Sequence, residues 1–330
     1  MIVDSHAHYY GDHDDAVARL RADGVKLVNV AVADSSGDSW RNQATVYRTL
    51  ASQYPDTYAW CTTFDPPDAA TWVDATSERR YGDAVIDGLR RDFAAGAAGC
   101  KVWKTIGMKL RKPSGAFVLI DDGVFDPIYE FLASTGKPLL MHIGEPLACW
   151  QPLDEANPHA GYYRGNPEWY MGDKPDHPAH RALIDARDRV LARHPRLRAV
   201  GAHLGSLEYD VAEVVARLER YPNFAVDTSA RLTDLVRQDQ DAVRTFLVRY
   251  ADRILFGTDI GSEKCVSALD EDQRPQHLNE LLAHYAREAD YYRSSTSMVL
   301  HGVQTQGLGL PRDVADAVLA GNAMRWYWGA

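Results

Sequence analysis

Cysteine is scarce in this sequence and long apolar runs are absent, and both absences narrow the class of protein. Only 4 of the 330 residues are cysteine, and Cys61, Cys100, Cys149 and Cys265 are widely spaced with no CxxC pair. This spacing argues against a disulfide framework and against a zinc finger. No apolar run approaches the roughly 18–20 residues that a membrane-spanning helix requires.

Other missing patterns concern partners, cofactors and location. No run of Lys or Arg is long enough for a nucleic-acid patch, and the net charge is −10, so we expect neither nucleic-acid nor membrane partners. No GxGxxG follows the first strand-like run, which disfavours dinucleotide binding. The first residues lack a basic segment followed by an apolar one, and we therefore expect a reducing, cytoplasmic compartment.

What the sequence does contain is a strict alternation of strand-like and helix-like stretches. Eight strands are predicted, at residues 2–5, 25–33, 58–64, 99–106, 138–143, 197–203, 224–229 and 253–259. A helix is predicted after each strand, at about 13–23, 39–53, 78–95, 124–135, 179–193, 208–220, 239–250 and 275–292, and a last one at about 312–326. This alternation implies parallel strands, and eight repeats favour a closed (β/α)8 TIM barrel over an open sheet. We predict a single barrel domain over residues 1–330.

Three connections are longer than usual, and each follows a strand. The first covers residues 107–123, and "RKPSGAFVLI" within it predicts a hairpin. The second covers residues 144–178, which are rich in Trp, Tyr, His and Pro, and the third covers residues 260–274, which are polar. In a barrel the loops after strands lie on the catalytic face, and long loops in a compact domain are usually functional. The aromatic loop 144–178 is therefore the candidate lid or substrate wall.

Ligand-type side chains stand at the ends of several predicted strands. His6 and His8 close "MIVDSHAH", His142 closes "KPLLMH", His203 closes "LRAVGAH" and Asp259 closes "RILFGTD". Neutral imidazole and carboxylate suit a divalent ion such as zinc, manganese or iron. Because the carboxyl ends of barrel strands meet at one rim, this pattern predicts a metal site gathered from distant strands.

The HxH pair is the strongest single unit of this pattern. Residues i and i+2 of a strand point to the same side, so His6 and His8 are expected to aim together into the barrel mouth, while Ser5 and Ala7 face away. Asp4 is expected either to accept a hydrogen bond from a metal-binding side chain or to make a hydrogen bond that only stabilises the fold.

The order of these motifs resembles the amidohydrolase superfamily. More narrowly, HxH, a lysine on strand four, two strand-end histidines and an Asp in "GTD" are similar to the amidohydrolase-2 group of metal-dependent hydrolases and decarboxylases. The resemblance implies that His6, His8, His142 and Asp259 surround one divalent ion, expected to be zinc with manganese or iron as alternatives. It implies that His203 is an acid/base or electrostatic group, or a ligand of a second ion. In binuclear relatives a carboxylated lysine bridges the two ions, which makes Lys101 a candidate bridge.

Candidate substrate contacts follow from position and side-chain chemistry. Lys101 and Trp103 share a face of the fourth strand, so Lys104 is expected to point to the other side. Arg231, after strand seven, suits a substrate carboxylate, with an ion pair to Glu145 or Asp227 as the alternative. The predicted substrate-binding residues are Lys101, Trp103, Lys104, Glu145, Trp150 and Arg231.

Three functions are compatible with these residues. The first is hydrolysis of an amide, ester or lactone bond in a small anionic or polyhydroxylated molecule by a metal-activated water. There Asp259 takes a proton and passes it on, and His203 stabilises the oxyanion. The second is metal-dependent, non-oxidative decarboxylation of a small carboxylic acid, aromatic acids included. The third is a non-catalytic metal-binding barrel. The aromatic C-terminus, which includes Trp326, Tyr327 and Trp328, indicates either a contact in a homo-oligomer or a packed chain end.

Overall fold

In a computed structural model of the chain, described for residues 1–34, 39–262 and 265–329, eight short parallel strands form one sheet. In chain order they are β1 (Ile2–Ala7), β2 (Val25–Val30), β3 (Tyr58–Thr63), β4 (Gly99–Val102), β5 (Leu139–Met141), β6 (Ala199–Gly201), β7 (Phe224–Asp227) and β8 (Ile254–Leu255). Each strand pairs with the next one, so the order in the sheet is the order in the chain. This arrangement confirms the predicted (β/α)8 TIM barrel.

Backbone hydrogen bonds bring the last strand back to the first. The segment that follows β8 is bonded to β1 and the residue after it by three contacts of 2.7–2.9 Å, which are Ser5 N to Phe256 O, Asp259 N to His6 O, and His8 N to Ile260 O. Two of these contacts involve His6, His8 and Asp259 themselves. Closing the barrel therefore also brings the HxH pair next to the Asp of "GTD".

Helices follow the strands and cover the outside of the barrel. The eight long ones are Asp14–Ala22, Ser39–Gln53, Ala75–Ala94, Asp126–Thr135, His180–Arg193, Val211–Arg220, Gln240–Arg249 and Gln273–Arg293. Several begin where an Asp side chain accepts the backbone N–H groups of the first turn, as Asp74 does from Ser77 and Asp239 does from Ala242. None of the helices in the described part of the chain is long and apolar enough to span a bilayer.

The barrel interior is filled by small and branched side chains. Val3, Val28, Leu140, Val200 and Leu255 form one buried cluster there, and Ala320, Ala323 and Tyr327 from the C-terminal segment join it. This segment consists of a helix, Arg312–Asp316, and two wider, π-helical stretches, Ala317–Gly321 and Met324–Trp328. It closes the end of the barrel opposite the strand-end residues.

The C-terminal aromatic side chains are engaged within the chain. The Arg198 guanidinium lies 4.4 Å from the centre of the Trp326 ring, Tyr327 is buried, and Trp328 Nε1 donates to Pro55 O at 3.2 Å. The structure therefore shows these residues in a packed chain end, and a contact in a homo-oligomer stays a prediction.

One pair of strands was missed by the sequence analysis. Ser297–Leu300 (β9) and Val303–Gln306 (β10) form an antiparallel hairpin outside the barrel. The turn residues His301 and Gly302 both have positive φ, of 49° and 75°, as a tight two-residue hairpin turn requires. The alternating pattern of "SMVLHGVQTQ" was the available signal.

The long connections contain more local structure than was predicted. In 107–123, Lys112 N bonds to Ala116 O and Val118 N bonds to Leu110 O, which confirms a tight hairpin there. The loop 144–178 includes three short helical segments, Leu147–Trp150, Ala160–Gly165 and Pro167–Trp169. In 260–274 a short turn, Val266–Ala268, precedes the last long helix, and residues 263–264 lie outside the described residues.

Candidate metal centre and active site

His6, His8 and Asp259 converge at the open rim of the barrel. Asp259 Oδ1 lies 3.5 Å from His6 Nε2 and 3.3 Å from His8 Nε2. One ligand atom from each of the three residues lies within 4.8 Å of the others, as in a group that can hold a metal ion. Asp259 has a positive φ of 61°, a strained value for this residue type, and its side chain stays one-third exposed.

The strand that carries the HxH pair is irregular. The pairing register of β1 with β2 shifts between Asp4 and Ala7, so the simple alternation of side chains does not hold along the whole strand. Asp4 accepts from Thr258 Oγ1 at 2.5 Å and from Tyr285 Oη at 2.8 Å, whereas His6 contacts the residues of the mouth. Asp4 thus has a structural hydrogen-bonding role beside the segment that carries Asp259.

Lys101 lies directly against the predicted ligands. Its Nζ is 2.7 Å from His6 Nε2, and the side chain is almost completely buried. Burial lowers the pKa of Lys101 to about 8, because the charged form is poorly solvated there. With this pKa most of the Lys101 side chains are protonated near neutral pH and a minor fraction is neutral, and the neutral amine is the form that can react with carbon dioxide.

His142 and His203 form a hydrogen-bonded pair whose protonation can be assigned from its partners. His203 Nδ1 lies 2.8 Å from the Ser229 carbonyl oxygen, which can only accept, so this nitrogen carries the proton. His203 Nε2 is then the acceptor for His142 Nδ1 at 3.2 Å. His142 Nε2 is left as a buried lone pair with no hydrogen-bond partner among the described residues.

Asp227 and Ser229, which the sequence analysis did not select, organise the imidazoles. Asp227 accepts from His6 Nδ1 at 3.0 Å and from the backbone N–H of His203 at 2.8 Å. Ser229 Oγ donates to Asp227 at 2.5 Å and lies 2.9 Å from His203 Nδ1. The signal in the sequence was the run "FAVDTS", in which an acid follows an apolar strand just as in the other candidate sites.

Burial keeps these histidines neutral, whereas contacts with neighbouring groups keep the acids ionised. Burial, with the nearby Lys101 charge, lowers the pKa of His8 to about 4. Burial lowers the pKa of His203 to about 3 and holds that of His142 well below its usual value. Burial alone would raise the pKa of Asp227, but contacts with His6 and His203 bring it to about 2. The pKa of Asp259 is held well below its usual value by the His8 hydrogen bond, against the effect of burial.

The predicted direction of Lys104 was wrong. β4 ends at Val102, so the alternation of a strand no longer applies two residues later. Lys104 is buried and forms an ion pair with Glu145, and its Nζ lies 4.1 Å from the centre of the Trp169 ring. Glu145 also accepts from Tyr163 Oη at 3.3 Å.

The aromatic side chains of the predicted substrate wall have different positions. Trp103 packs edge-on against Trp169 at 5.2 Å and stands 6.5 Å from the His142 ring, so this pair borders the histidines. Trp150 instead packs against His180 at 5.2 Å and donates from Nε1 to Pro178 O at 3.1 Å. The contacts of Trp150 therefore stabilise the packing of the loop.

Arg231 makes neither of the ion pairs that the sequence analysis considered as its alternative role. Its guanidinium donates to Ala230 O at 2.8 Å, and its buried Nε has no hydrogen-bond partner among the described residues. The charges of Glu208, Asp234 and Glu145 act on it from a distance. Arg231 is thus a buried cation beside the aromatic loop, bonded to Ala230 O but with its Nε–H group free of a partner among the described residues.

A comparison with models of protein families agrees with this geometry. The model described as Amidohydrolase, of the Amidohydro_2 type, matches residues 3–328, which is nearly the whole chain. The chain belongs to this amidohydrolase family. A comparison with curated protein sequences gave no match.

Solved structures that resemble this amidohydrolase share its fold at low sequence identity. A crystal structure named amidohydrolase II has a TM-score of 0.56 and 14% identity, over 99% of this chain and 100% of the other. A 2,6-dihydroxybenzoate decarboxylase in complex with 2,6-dihydroxybenzoate has a TM-score of 0.53 and 16% identity, over 96% and 88%. A 4-oxalomesaconate hydratase from Rhodopseudomonas palustris has a TM-score of 0.52 and 13% identity, over 99% and 95%. At these identities the likeness concerns the fold alone.

The donor atoms of this amidohydrolase fit a divalent metal ion. Neutral imidazoles and an ionised carboxylate are the ligands that such ions require, and the low pKa values of His8 and Asp259 supply both. His6 has its second nitrogen bonded to Asp227, the usual support of a metal-binding histidine. The unpartnered Nε2 of His142 is a further donor, since a buried lone pair without a partner is costly.

Proposed function

We propose that this amidohydrolase is a metal-dependent hydrolase that cleaves an amide, ester or lactone bond of a small anionic molecule. The observation that carries the proposal is the convergence of His6, His8 and Asp259, at 3.3–3.5 Å, on an open rim beside His142 and His203. Structural zinc sites usually use four protein ligands and are closed, whereas catalytic sites keep an open position. The partly exposed Asp259 favours the catalytic type over the non-catalytic barrel.

The proposed cofactor is one zinc ion, with His6, His8, His142 and Asp259 as the residues that would hold it. A divalent ion supplies Lewis acidity, which polarises a carbonyl and lowers the pKa of a coordinated water. Asp259 is the proposed general base, because its low pKa leaves it ionised and its carboxylate is accessible. It would take a proton from the attacking water and deliver it to the leaving group.

The roles of His203 and Lys101 differ from the simplest expectation. In the tautomer set by Ser229 O, His203 Nε2 accepts a hydrogen bond, so the predicted role as an oxyanion donor does not fit. We propose that His203 orients His142. Lys101, which is mostly protonated at neutral pH with a pKa of about 8, is the better candidate to stabilise developing negative charge. A carboxylated Lys101 is the alternative state, and mass spectrometry under native conditions would detect the added mass.

The substrate is proposed to be anionic because of the charged side chains beside the barrel mouth. Arg231 has a buried Nε without a partner, and a planar guanidinium suits a carboxylate bidentately. The Lys104–Glu145 pair offers a donor and an acceptor for hydroxyl groups next to the Trp169 ring. These groups favour a small molecule with a carboxylate and hydroxyl groups.

A metal-dependent decarboxylase is the second candidate. The observation in its favour is the pair of indoles, Trp103 and Trp169, which border His142 and suit a flat ring. The same Asp259 would then protonate carbon as carbon dioxide leaves.

Purified protein assayed against panels of lactones, esters, amides and aromatic carboxylic acids tests the proposal. We expect acid release that is lost with a chelator and restored by zinc. In Asp259→Asn it should fall by roughly 10²–10⁴-fold, the usual contribution of one acid–base group. Circular dichroism should show an unchanged fold in that variant. Release of carbon dioxide would identify the decarboxylase instead. Bound metal with no turnover of any panel, or wild-type activity of Asp259→Asn, would contradict both assignments.

A further inference from the structure

A second group of histidine and carboxylate side chains lies outside the barrel, where the last long helix meets the β9–β10 hairpin. His284 and Glu288 are one turn apart on the helix Gln273–Arg293, and His301 lies in the turn between β9 and β10. Glu288 Oε1 is 3.2 Å from His284 Nε2 and 3.2 Å from His301 Nε2. The two imidazoles therefore meet on one carboxylate oxygen, and none of these three residues belongs to the proposed metal centre at the mouth.

The Glu288 carboxylate is buried, and only one of its two oxygens is bonded. Its side chain is 5% exposed, and Oε2 has no hydrogen-bond partner among the described residues. Burial alone would raise the pKa of Glu288, but the bonds from His284 and His301 hold it below its usual value, so the group is ionised. A buried charge with an unpartnered oxygen is costly, because it has lost water without gaining a donor. The carboxylate therefore has capacity for further positive charge beside the two imidazoles.

The arrangement is close to that of a metal site with three protein ligands. Zinc binds imidazole nitrogen and carboxylate oxygen at about 2.0–2.2 Å, so neighbouring ligand atoms of a tetrahedral site lie roughly 3.3 Å apart. Both contacts of Glu288 Oε1 already have nearly this length. The ring centres of His284 and His301 are 6.4 Å apart, whereas two imidazoles on one tetrahedral ion have ring centres roughly 5 Å apart. Only the two imidazoles must therefore approach each other for an ion to be held.

Both histidines can be reached from the solvent. The side chain of His284 is 28% exposed and that of His301 is 36% exposed. An ion that arrives from the solvent can thus contact both imidazoles, and water can complete its coordination. Because His301 lies in a two-residue turn of a hairpin outside the barrel, its ring can move towards His284 without a change in the barrel.

We propose that His284, Glu288 and His301 bind a second divalent ion, zinc, which fastens the β9–β10 hairpin to the last long helix. Imidazole ligands favour zinc over magnesium and calcium, which prefer oxygen ligands. A two-stranded hairpin is marginally stable by itself, so an ion that joins its turn to a helix stabilises it. The proposal does not depend on the reaction at the barrel mouth. Two imidazole–carboxylate ion pairs that bind no ion are the alternative, and zinc then has no effect on the hairpin.

Hydrogen exchange of the hairpin amides, followed by mass spectrometry, tests this site. The enzyme loaded with one equivalent of zinc is compared with the same enzyme titrated with further zinc. Zinc at about ten times its dissociation constant should slow exchange within 297–306 by about tenfold, because an ion that binds only the closed hairpin stabilises it by a factor of 1 + [Zn]/Kd. Magnesium at the same concentration should leave the exchange rate unchanged.

Three variants decide whether these side chains hold the ion. His284→Gln and His301→Gln each keep an N–H donor for Glu288 but lose the imidazole, so both should fold and lose the protection by zinc. His277→Gln changes another histidine of the same helix, one that bonds Tyr9 Oη at 3.2 Å, and should keep the protection. An exchange rate of the wild-type hairpin that does not respond to zinc would overturn the proposal. Protection that persists in His284→Gln or in His301→Gln, or that magnesium gives equally, would overturn it as well.

Discussion

The protonation states and orientations of the residues at the mouth depend on burial and on a few hydrogen-bond acceptors that they share. Asp227 bonds both the His6 imidazole and the His203 backbone, and therefore links β1, β6 and β7 behind the metal centre. Its low pKa of about 2 means that it acts as a carboxylate throughout the working pH range. The side chain is fully buried, and because it bonds His6 Nδ1 it leaves His6 Nε2 to face the mouth.

We expect Asp227→Asn to weaken metal binding by roughly 10–100-fold, the usual effect of removing the acid behind a histidine ligand. The Asn amide would keep its oxygen on the N–H groups of His203 and Ser229, and would therefore place its NH2 donor against the His6 Nδ1–H. Zinc affinity measured by competition with a chelating dye checks this expectation. Asp241→Asn, an exposed change on a nearby helix, is the matched control. Unchanged affinity in Asp227→Asn would show that His6 is oriented by other contacts.

A pH dependence of stability is expected from His180, which lies outside the metal centre. Burial lowers its pKa to about 4 from 6.5, while its Nε2 bonds Ser206 O at 2.8 Å. Between pH 6.5 and 4 the unfolded chain then binds more protons than the folded chain, so acid destabilises the fold. Protonation of His180 in the unfolded chain lowers the free energy of unfolding by about 2 kcal/mol at pH 5, and this loss disappears above pH 6.5.

Denaturant unfolding at pH 7.5 and pH 5 measures this effect. His180→Gln should lose less stability on acidification than the wild-type protein, although it starts lower because the imidazole packs against Trp150. Asn42→Ala, an exposed substitution without a titrating group, is expected to show the acid sensitivity of the wild type. Equal acid sensitivity of His180→Gln and wild type would remove His180 from the explanation.

At the scale of elements, the loop 144–178 is fastened to the barrel by two acids. Glu208 accepts from Leu147 N at 2.8 Å near the start of the loop, and Asp234 lies 2.8 Å from His159 Nε2 in its middle. Both acids come from segments after neighbouring strands of the rim. The loop that carries Glu145, Tyr163 and Trp169 is therefore positioned by contacts distant in sequence.

Asp234→Ala is expected to loosen this loop without unfolding the barrel. Loss of the His159 contact should speed limited proteolysis within 144–178 and raise KM by about tenfold, since mobile lids alter substrate binding. The proteolytic rate and the steady-state constants are the measurements. An exposed change on the same face, Arg237→Gln, is the comparison. A normal proteolytic rate in Asp234→Ala would mean that Glu208 and aromatic packing suffice.

For the molecule as a whole, the C-terminal segment seals the barrel at the end opposite the metal centre. Asn322 is buried and donates from Nδ2 to Ala251 O and Ile254 O, both at 2.6 Å. Phe256 N donates to Val318 O at 3.0 Å, so this segment also bonds the strand that leads to Asp259. Stability and catalysis are thus supported at separate ends of the barrel.

Asn322→Ala should lower the free energy of unfolding by about 1–3 kcal/mol, because two buried carbonyl groups lose their donor. The melting temperature should fall, while metal content and kcat at low temperature stay unchanged because the mouth is untouched. Asn42→Ala, an exposed substitution, should change neither. A loss of metal from folded Asn322→Ala would show that the two ends are coupled.

The sequence by itself determined the barrel and its set of ligand-type residues. Strand and helix periods are local properties, and the carboxyl ends of parallel strands must share a rim, so His6, His8, His203 and Asp259 could be assigned to one place before the structure was known. The direction of Lys104 and the packing role of Trp150 depend on where a strand ends and how a loop folds. Those features follow from contacts between distant segments, which local periodicity does not encode.

Only the tertiary structure decided the hydrogen-bond chemistry of the site. The proton on His203 Nδ1, the free lone pair of His142 and the support by Asp227 depend on partners that lie 24 to 221 positions apart. Burial, which no short stretch of sequence reports, lowered the pKa values of Lys101 and His8.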